Sequence, residues 1–254
     1  MDSGSKATSF SGGDAPPRVN EFGQPVGFPV PGWTERPRPP RSPMAGRFCR
    51  VEPLSPERHC KELFAADRED ATGQNWTYLP TGPYSDYPSY AEWLAGMAAS
   101  EDPLMHAILD HSGKAVGLAG YLRIDPPAGV IEVGHLVFSP RLQRRPAATE
   151  AMFLMMRRAF DELGYRRYEW KCDSLNTPSR RAAERLGFKF EGIFRQARVY
   201  KGRSRDTAWY SIIDREWPAL KAAFEKWLDP ANFDEEGKQR EKLTDILTAE
   251  TLRR

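Results

Sequence analysis

No run of about 18 consecutive apolar residues occurs in this 254-residue chain, so no membrane-spanning helix is expected. The N-terminus lacks an apolar h-region, which argues against a secretory signal. Cysteine is scarce: Cys49, Cys60 and Cys172 are odd in number, far apart and without metal-ligand spacing. That pattern excludes a disulfide framework and fits a reducing cytoplasm, the expected location. The four histidines, His59, His106, His111 and His135, form no metal signature, so no metal is expected. Charge of one sign is also lacking: 37 Lys and Arg against 35 Asp and Glu leave a net charge of +2. This balance argues against a protein that works by non-specific nucleic-acid binding. Neither a nucleic acid nor a membrane is expected as a partner, and there is no internal repeat.

Proline, in contrast, is concentrated. Residues 1–43 hold nine of the 22 prolines, and a residue with fixed φ and no N–H cannot sustain regular ladders. Met1 to Asp14 is rich in Gly and Ser and reads as disordered. Phe22, Phe28 and Trp33 suggest that the later part is an extended arm lying on the domain. We therefore divide the chain into an arm over 1–43, a globular body over 44–229 and a polar helical tail over 230–254.

Within the body, Phe48 to Leu54 alternates as a strand, and Ser55-Pro56-Glu57 opens a helix to about Asp70. An aromatic loop follows over 72–90, with Trp76, Tyr78, Tyr84, Tyr87 and Tyr90, then a helix over Ser89 to Ser100. Strands are expected at Leu104 to Asp110, Ala115 to Ile124 and Val130 to Phe138, separated by turn sequences. A helix over Ala147 to Leu163 ends at Gly164, and a strand follows at Tyr168 to Cys172. A helix over Thr177 to Leu186 ends at Gly187. Phe190 to Tyr200 and Asp206 to Ile213 form a hairpin, and Trp217 to Leu228 a helix. Residues 236–252 read as a loosely attached polar helix. The order is that of an α+β fold, with helices against a mixed sheet.

The most informative stretch is Gly134 to Ala151, in which an apolar strand enters a tight loop that opens a long helix. A helix start leaves N–H groups unpaired at the positive end of the macrodipole, which suits a pyrophosphate. Arg144 and Arg145 add positive charge, and the small Ala147 and Ala148 permit close approach to the backbone.

Gln143-Arg144-Arg145-Pro146-Ala147-Ala148 resembles the Gln/Arg-x-x-Gly-x-Gly/Ala motif of the GNAT superfamily of N-acetyltransferases. It departs from it at Pro146, which has no N–H to offer and shifts the load to the arginines. Thr149-Glu150-Ala151, Asn176-Thr177-Pro178-Ser179, Leu186-Gly187-Phe188, Glu191-Gly192 and Arg195 are together similar to the ribosomal-protein acetyltransferase branch. The resemblance covers roughly residues 48–214. It implies a GNAT fold: a mixed, mostly antiparallel sheet flanked by helices, with two central parallel strands, at 130–138 and 168–172, that splay apart. It also implies acetyl-CoA as acyl donor, with its pantetheine arm in the wedge as an extra strand. On that basis Val137, Phe138, Gln143, Arg144, Arg145, Ala147, Ala148, Thr149, Asn176 and Ser179 are the expected donor-binding residues.

In the GNAT scheme the acceptor amine attacks the thioester directly, without an acyl-enzyme. For the base, family analogy favours Glu132, while His135 has the more suitable unperturbed pKa. Three positions apart on one strand, they face opposite ways unless a bulge intervenes; a water relay is a third option. Ser179 matches the family position for protonating the leaving thiolate, although a serine in a first helical turn also suits capping. The tyrosine that many GNAT enzymes carry four residues before the Gly-Phe glycine is replaced by Ala183. Trp76, Tyr78 and Tyr84 fall where the family closes its acceptor site, and aromatic faces attract an ammonium. The acceptor is then a primary amine: a protein N-terminus, an amino acid or a small amine. The rival readings are a non-catalytic acyl-CoA-binding or sensing module and an interaction scaffold working through the proline-rich arm. A homodimer is left open.

Overall fold

Largely apolar runs over Leu104–Asp110, Ala115–Asp125 and Val130–Phe138, buried on both faces for most of their length, build the centre of an eight-stranded sheet in a computed structural model that describes residues 18–252. The Gly- and Ser-rich opening lies outside the described residues. Arg18 to Thr34 belongs to a separate small unit holding a two-residue ladder, β1 (Arg18–Val19) with β2 (Pro25–Val26). Asn20 closes its turn, its Oδ1 accepting from the N–H groups of Phe22 and Gln24.

The main unit begins at Glu35. Its proline-rich start is tied down through carbonyls and arginines, because prolines offer no donors. Ser42 O and Pro43 O accept from the buried Arg158 guanidinium, and Arg41 donates to Ser100 O at 2.7 Å. Strands β3 (Met44–Ala45) and β4 (Cys49–Pro53) follow, then helices α1 (Pro56–Asp67) and α2 (Tyr87–Ala99). The meander β5 (Leu104–Asp110), β6 (Ala115–Asp125) and β7 (Val130–Phe138) leads into α3 (Pro146–Arg157). A π-turn over Arg158–Glu162 prolongs α3, where one continuous helix is expected, and Gly164 at φ 68° ends it. Then come β8 (Arg167–Asp173), α4 (Thr177–Arg185), β9 (Lys189–Tyr200), β10 (Arg203–Ile213), α5 (Trp217–Leu228) and α6 (Leu243–Leu252).

The sheet order is β3-β4-β5-β6-β7-β8-β10-β9. Every pairing is antiparallel except β7 with β8. Strand alternation then gives each face its own core. Ile131, Val133, Tyr168, Trp170, Tyr210 and Ile212 join α3 and α5 on one face. Leu63, Leu94, Met105, Leu118 and Val137 join α1 and α2 on the other. Past the reach of α1 and α2, alternation puts Glu132, Glu169, Lys171, Trp209 and Ser211 on that second face. The C-terminal helix corrects one expectation. It is shorter than 236–252 and it is packed, because Leu243 and Ile246 sit one turn apart and are both buried in the first core.

Candidate active site

The ladder between β7 and β8 runs only from Val130↔Arg167 to Val133↔Trp170. Beyond it the two strands part. Gly134–Phe138 keeps β6 on one side, and Lys171–Asp173 keeps β10 on one side. The facing edges have no strand between them, and backbone groups on such edges need partners. This is a wedge of the kind that an extended, amide-bearing molecule fills.

A bulge sits at the mouth of the wedge. Gly134 pairs with Gly120, and Val137 pairs with Leu118, so β7 holds one residue more than β6. His135 takes up that residue with φ at 49°, in the left-handed region. Bulge formation is the circumstance under which Glu132 and His135 escape strict alternation. Both lie in the field of Arg123. Glu132 is buried and ion-paired to Arg123 and to Lys171, whose Nζ lies 2.9 Å away. Burial pushes its carboxyl up, against the two cations. Lys171 also reaches Glu169 at 2.6 Å and lies 3.7 Å from the centre of the Trp209 ring. His135 is half-buried, and burial first, then Arg123, pushes its imidazole below the usual histidine value.

Below the wedge, Ser139 to Arg145 forms the loop before α3. Leu142 and Gln143 both donate their N–H to Ser139 O, and Arg144 turns the chain at φ 60°. Arg145 is extended, and Pro146 starts the helix without a side-chain cap. The N–H groups of Arg144 and Ala147 have no backbone acceptor among the described residues. Both arginine side chains are exposed and make no ion pair among those residues. The loop therefore presents two amides and two guanidiniums where proline removes a third amide. Its shape is held from outside by Gln143, whose Nε2 donates to Phe138 O at 2.8 Å and to Asn75 Oδ1 at 2.9 Å.

The other expected donor-binding residues divide. Val137 is buried in the second core, and Phe138 is half-buried against the first. Ala147 is buried and Ala148 half-buried at the start of α3, leaving room beside the backbone. Thr149 is turned inward, and its hydroxyl accepts from Arg185 at 3.0 Å. Asn176 caps α4, its Oδ1 accepting from Ser179 N at 3.1 Å. Ser179 Oγ accepts from Trp170 Nε1 at 3.0 Å. Trp170 is the last β8 residue paired to β7, so Ser179 is anchored at the point where the strands separate.

The aromatic residues of the 72–90 loop divide as well. Tyr78 donates to Leu175 O at 3.2 Å, joining the loop to the segment before Asn176. Trp76 and Tyr84 instead line a cavity together with the end of α1 and the start of α2. The tip of the β9–β10 hairpin completes the surround: Lys201 Nζ donates to Trp76 O, and Arg203 to Thr77 O. The Glu132–Lys171–Glu169–Trp209 cluster escaped sequence reasoning. Its signal is the two-residue period of Glu169 and Lys171 on β8 and of Trp209 and Ser211 on β10.

The family model of the acetyltransferase (GNAT) domain matches residues 50–189. The chain belongs to the GNAT family. It is an acetyl-CoA-dependent N-acetyltransferase. An uncharacterized N-acetyltransferase, p20 of Bacillus licheniformis, is 29% identical over 177 residues, covering 66% of this chain and 99% of that protein. The crystal structure of a GCN5-related N-acetyltransferase from Brucella melitensis is 50% identical with a TM-score of 0.85, covering 86% of this chain and 100% of that one. At 18% identity and a TM-score of 0.57, the fold alone is shared with a Salmonella typhimurium acetyltransferase described as modifying the N-terminal serine of a 50S ribosomal subunit protein. That likeness covers 66% of this chain and 96% of the other. Among the described residues no helix is long and apolar enough to cross a membrane.

Proposed function

We propose that this GNAT enzyme acetylates a primary amine by direct attack within a ternary complex. The parting of β7 and β8 beside an arginine-bearing helix start is the observation that carries this reading. In it the α3 loop holds the pyrophosphate through the Arg144 and Ala147 amides and the Arg144 and Arg145 side chains. The pantetheine amides take the free edges of β7 and β8, with Asn176 at the far end.

The ammonium of the acceptor must first lose a proton. His135 takes it, directly or through water: its depressed pKa keeps the ring neutral at pH 7, and it lies at the wedge mouth. Glu132 serves differently. Already paired with two cations, it holds Lys171 and Arg123 in place rather than accepting a proton. The free amine then attacks the thioester carbonyl, the nitrogen of the adduct gives a second proton to solvent as the C–S bond breaks, and CoA leaves as a thiolate. Ser179 Oγ accepts from Trp170 and its hydroxyl hydrogen faces the Cys172 sulfur; turned from there to the leaving thiolate, it protonates the CoA sulfur. The net reaction turns acetyl-CoA and an amine into an amide and CoA.

The acceptor includes protein α-amino groups among its candidates, since one fold neighbour modifies such a group. Thiol release from acetyl-CoA, measured across peptides with free N-termini, amino acids and small amines, tests the reading. Calorimetric binding of acetyl-CoA without turnover on any amine would leave a coenzyme-binding protein and refute the enzymatic mechanism.

A further inference from the structure

Beside the second core lies a cleft lined by none of the residues assigned above to donor binding or proton transfer. A cavity of about 340 Å³, at the small end of ligand-sized pockets, lies between the C-terminal end of α1, the 72–86 loop and the start of α2. Its walls are Phe64, Trp76, Tyr84 and Tyr90, and its acidic members are Asp67 and Asp70. The rings are fixed by one another. Trp76 meets Tyr84 edge-on at 5.5 Å, Tyr84 meets Tyr90 at 5.7 Å, and Trp93 stacks behind Tyr84 at 5.1 Å.

The two carboxylates differ. Asp70 is fully used in shaping the loop, accepting from Thr72 Oγ1 at 3.0 Å and from Asn75 N at 2.8 Å. Asp67 accepts from the Tyr90 hydroxyl at 2.7 Å through Oδ2, and its Oδ1 has no donor among the described residues. The adjacent cation does not neutralise it: Arg68 donates to Ser85 O at 3.1 Å. Burial pushes the Asp67 carboxyl up to about 7; the charge of Asp70 adds to the rise, and the Tyr90 hydroxyl opposes it. The second carboxylate oxygen is open to the cavity, where a cation would meet its charge and the ring faces together.

We propose that this cavity is a binding site for a small organic cation, an ammonium carried on a compact apolar body, with Asp67 as its counter-ion. The site stands independently of the acetyl-transfer reading, because it concerns binding without coenzyme. It is nevertheless wired to the donor loop. Gly73 and Trp76 line the cavity, and Asn75 between them holds Gln143 of the phosphate loop. The cation is therefore either the acceptor amine itself or an effector acting through the 73–76 segment.

Calorimetry on the full chain without coenzyme tests the proposal with three probes of similar shape. Benzyltrimethylammonium is a permanent cation that cannot be acetylated, benzylamine is a primary ammonium, and benzyl alcohol is neutral. Both cations are expected to bind at least tenfold more tightly than the alcohol. Benzyltrimethylammonium should tighten about tenfold between pH 6 and pH 8 as Asp67 goes from about one-tenth to about nine-tenths ionised. The charged groups that face it are Asp70 and Arg68, and burial raises the Tyr84 and Tyr90 hydroxyls above the usual tyrosine value.

Asp67→Asn keeps an acceptor for Tyr90 and should remove both the preference for cations and the pH dependence, with acetyl-CoA affinity unchanged. Should that variant fold poorly, Tyr84→Leu, which removes an aromatic wall, is expected to weaken both cations at least fivefold. Equal binding of cations and alcohol, or cation affinity unchanged in both variants, overturns the proposal. If binding holds, acetylation of benzylamine with competitive inhibition by benzyltrimethylammonium makes the cavity the acceptor site. Altered turnover of a different amine without competition makes it an effector site. Loss of acetyl-CoA binding by the wild-type protein would sink the transfer reading and leave this one standing.

Discussion

Replacing Glu150 by alanine should cost about 4 kcal/mol of stability, because one buried carboxylate in the first turns of α3 holds an entire backbone turn. Its Oε1 accepts from Arg47 N at 2.7 Å, and its Oε2 from Phe48 N at 2.6 Å and Cys49 N at 2.9 Å. The carboxylate is 4% exposed and so close to Gly46 that a Cβ there would lie 2.3 Å from Cδ. Hydrogen bonds to a charged group contribute about 1.5–3 kcal/mol each, and a donor left buried without a partner costs about 1–3 kcal/mol. Three such donors, discounted for water entering the space left by the side chain, give the figure of about 4 kcal/mol. Glu150→Gln keeps one acceptor oxygen but turns an NH2 toward an N–H, so about 2–3 kcal/mol is expected. Urea unfolding with an unchanged m-value is the assay, and the alanine change should lower Tm by roughly 10 °C. Because α3 opens at the phosphate loop, the KM for acetyl-CoA should rise with it. A loss below about 1 kcal/mol in Glu150→Ala would refute the reasoning, since it would mean that the three N–H groups find other partners at no cost.

The remaining expectations concern the reaction. Arg144→Gln together with Arg145→Gln should weaken acetyl-CoA binding by at least about tenfold and flatten its salt dependence, as calorimetry at two ionic strengths would reveal. An unchanged salt slope would remove these side chains from the phosphate site. In the wild type kcat/KM should rise with pH through a histidine-like pKa below 6.5, because the folded-state value is depressed and the base form persists above it. His135→Asn should abolish that limb and lower kcat about 10²-fold or more with little change in acetyl-CoA affinity. A limb retained in the variant would return the role to water or to Glu132. Ser179→Ala should slow turnover more than it weakens donor binding; wild-type turnover would end its role toward the thiolate.

Much of the strand, loop and helix framework is legible in the residues. Val130–Phe138 and Trp217–Leu228 are bounded in the chain as their patterns suggest, because alternation and proline or glycine punctuation are local. The α4 cap is Asn176, whereas the residues suggested Ser179 for capping; Ser179 instead supplies the N–H that Asn176 accepts. Thr149 shows the limit. Its place beside the motif suggests ligand contact, but Arg185 from another helix claims its hydroxyl. Trp76, Tyr78 and Tyr84 form one aromatic group in the sequence and serve two surroundings in the fold.

The sequence by itself determined that a strand ends in an arginine-bearing loop and that a helix starts there, since capping, charge and periodicity act over a few residues. Only the tertiary structure decided that β7 and β8 pair for four residues and then part. It alone put the bulge at His135, gave Glu132 to two cations and left Asp67 facing an aromatic hollow. The physical reason is that desolvation and ion pairing depend on which distant side chains meet, and strand register, set across the whole sheet, decides those meetings.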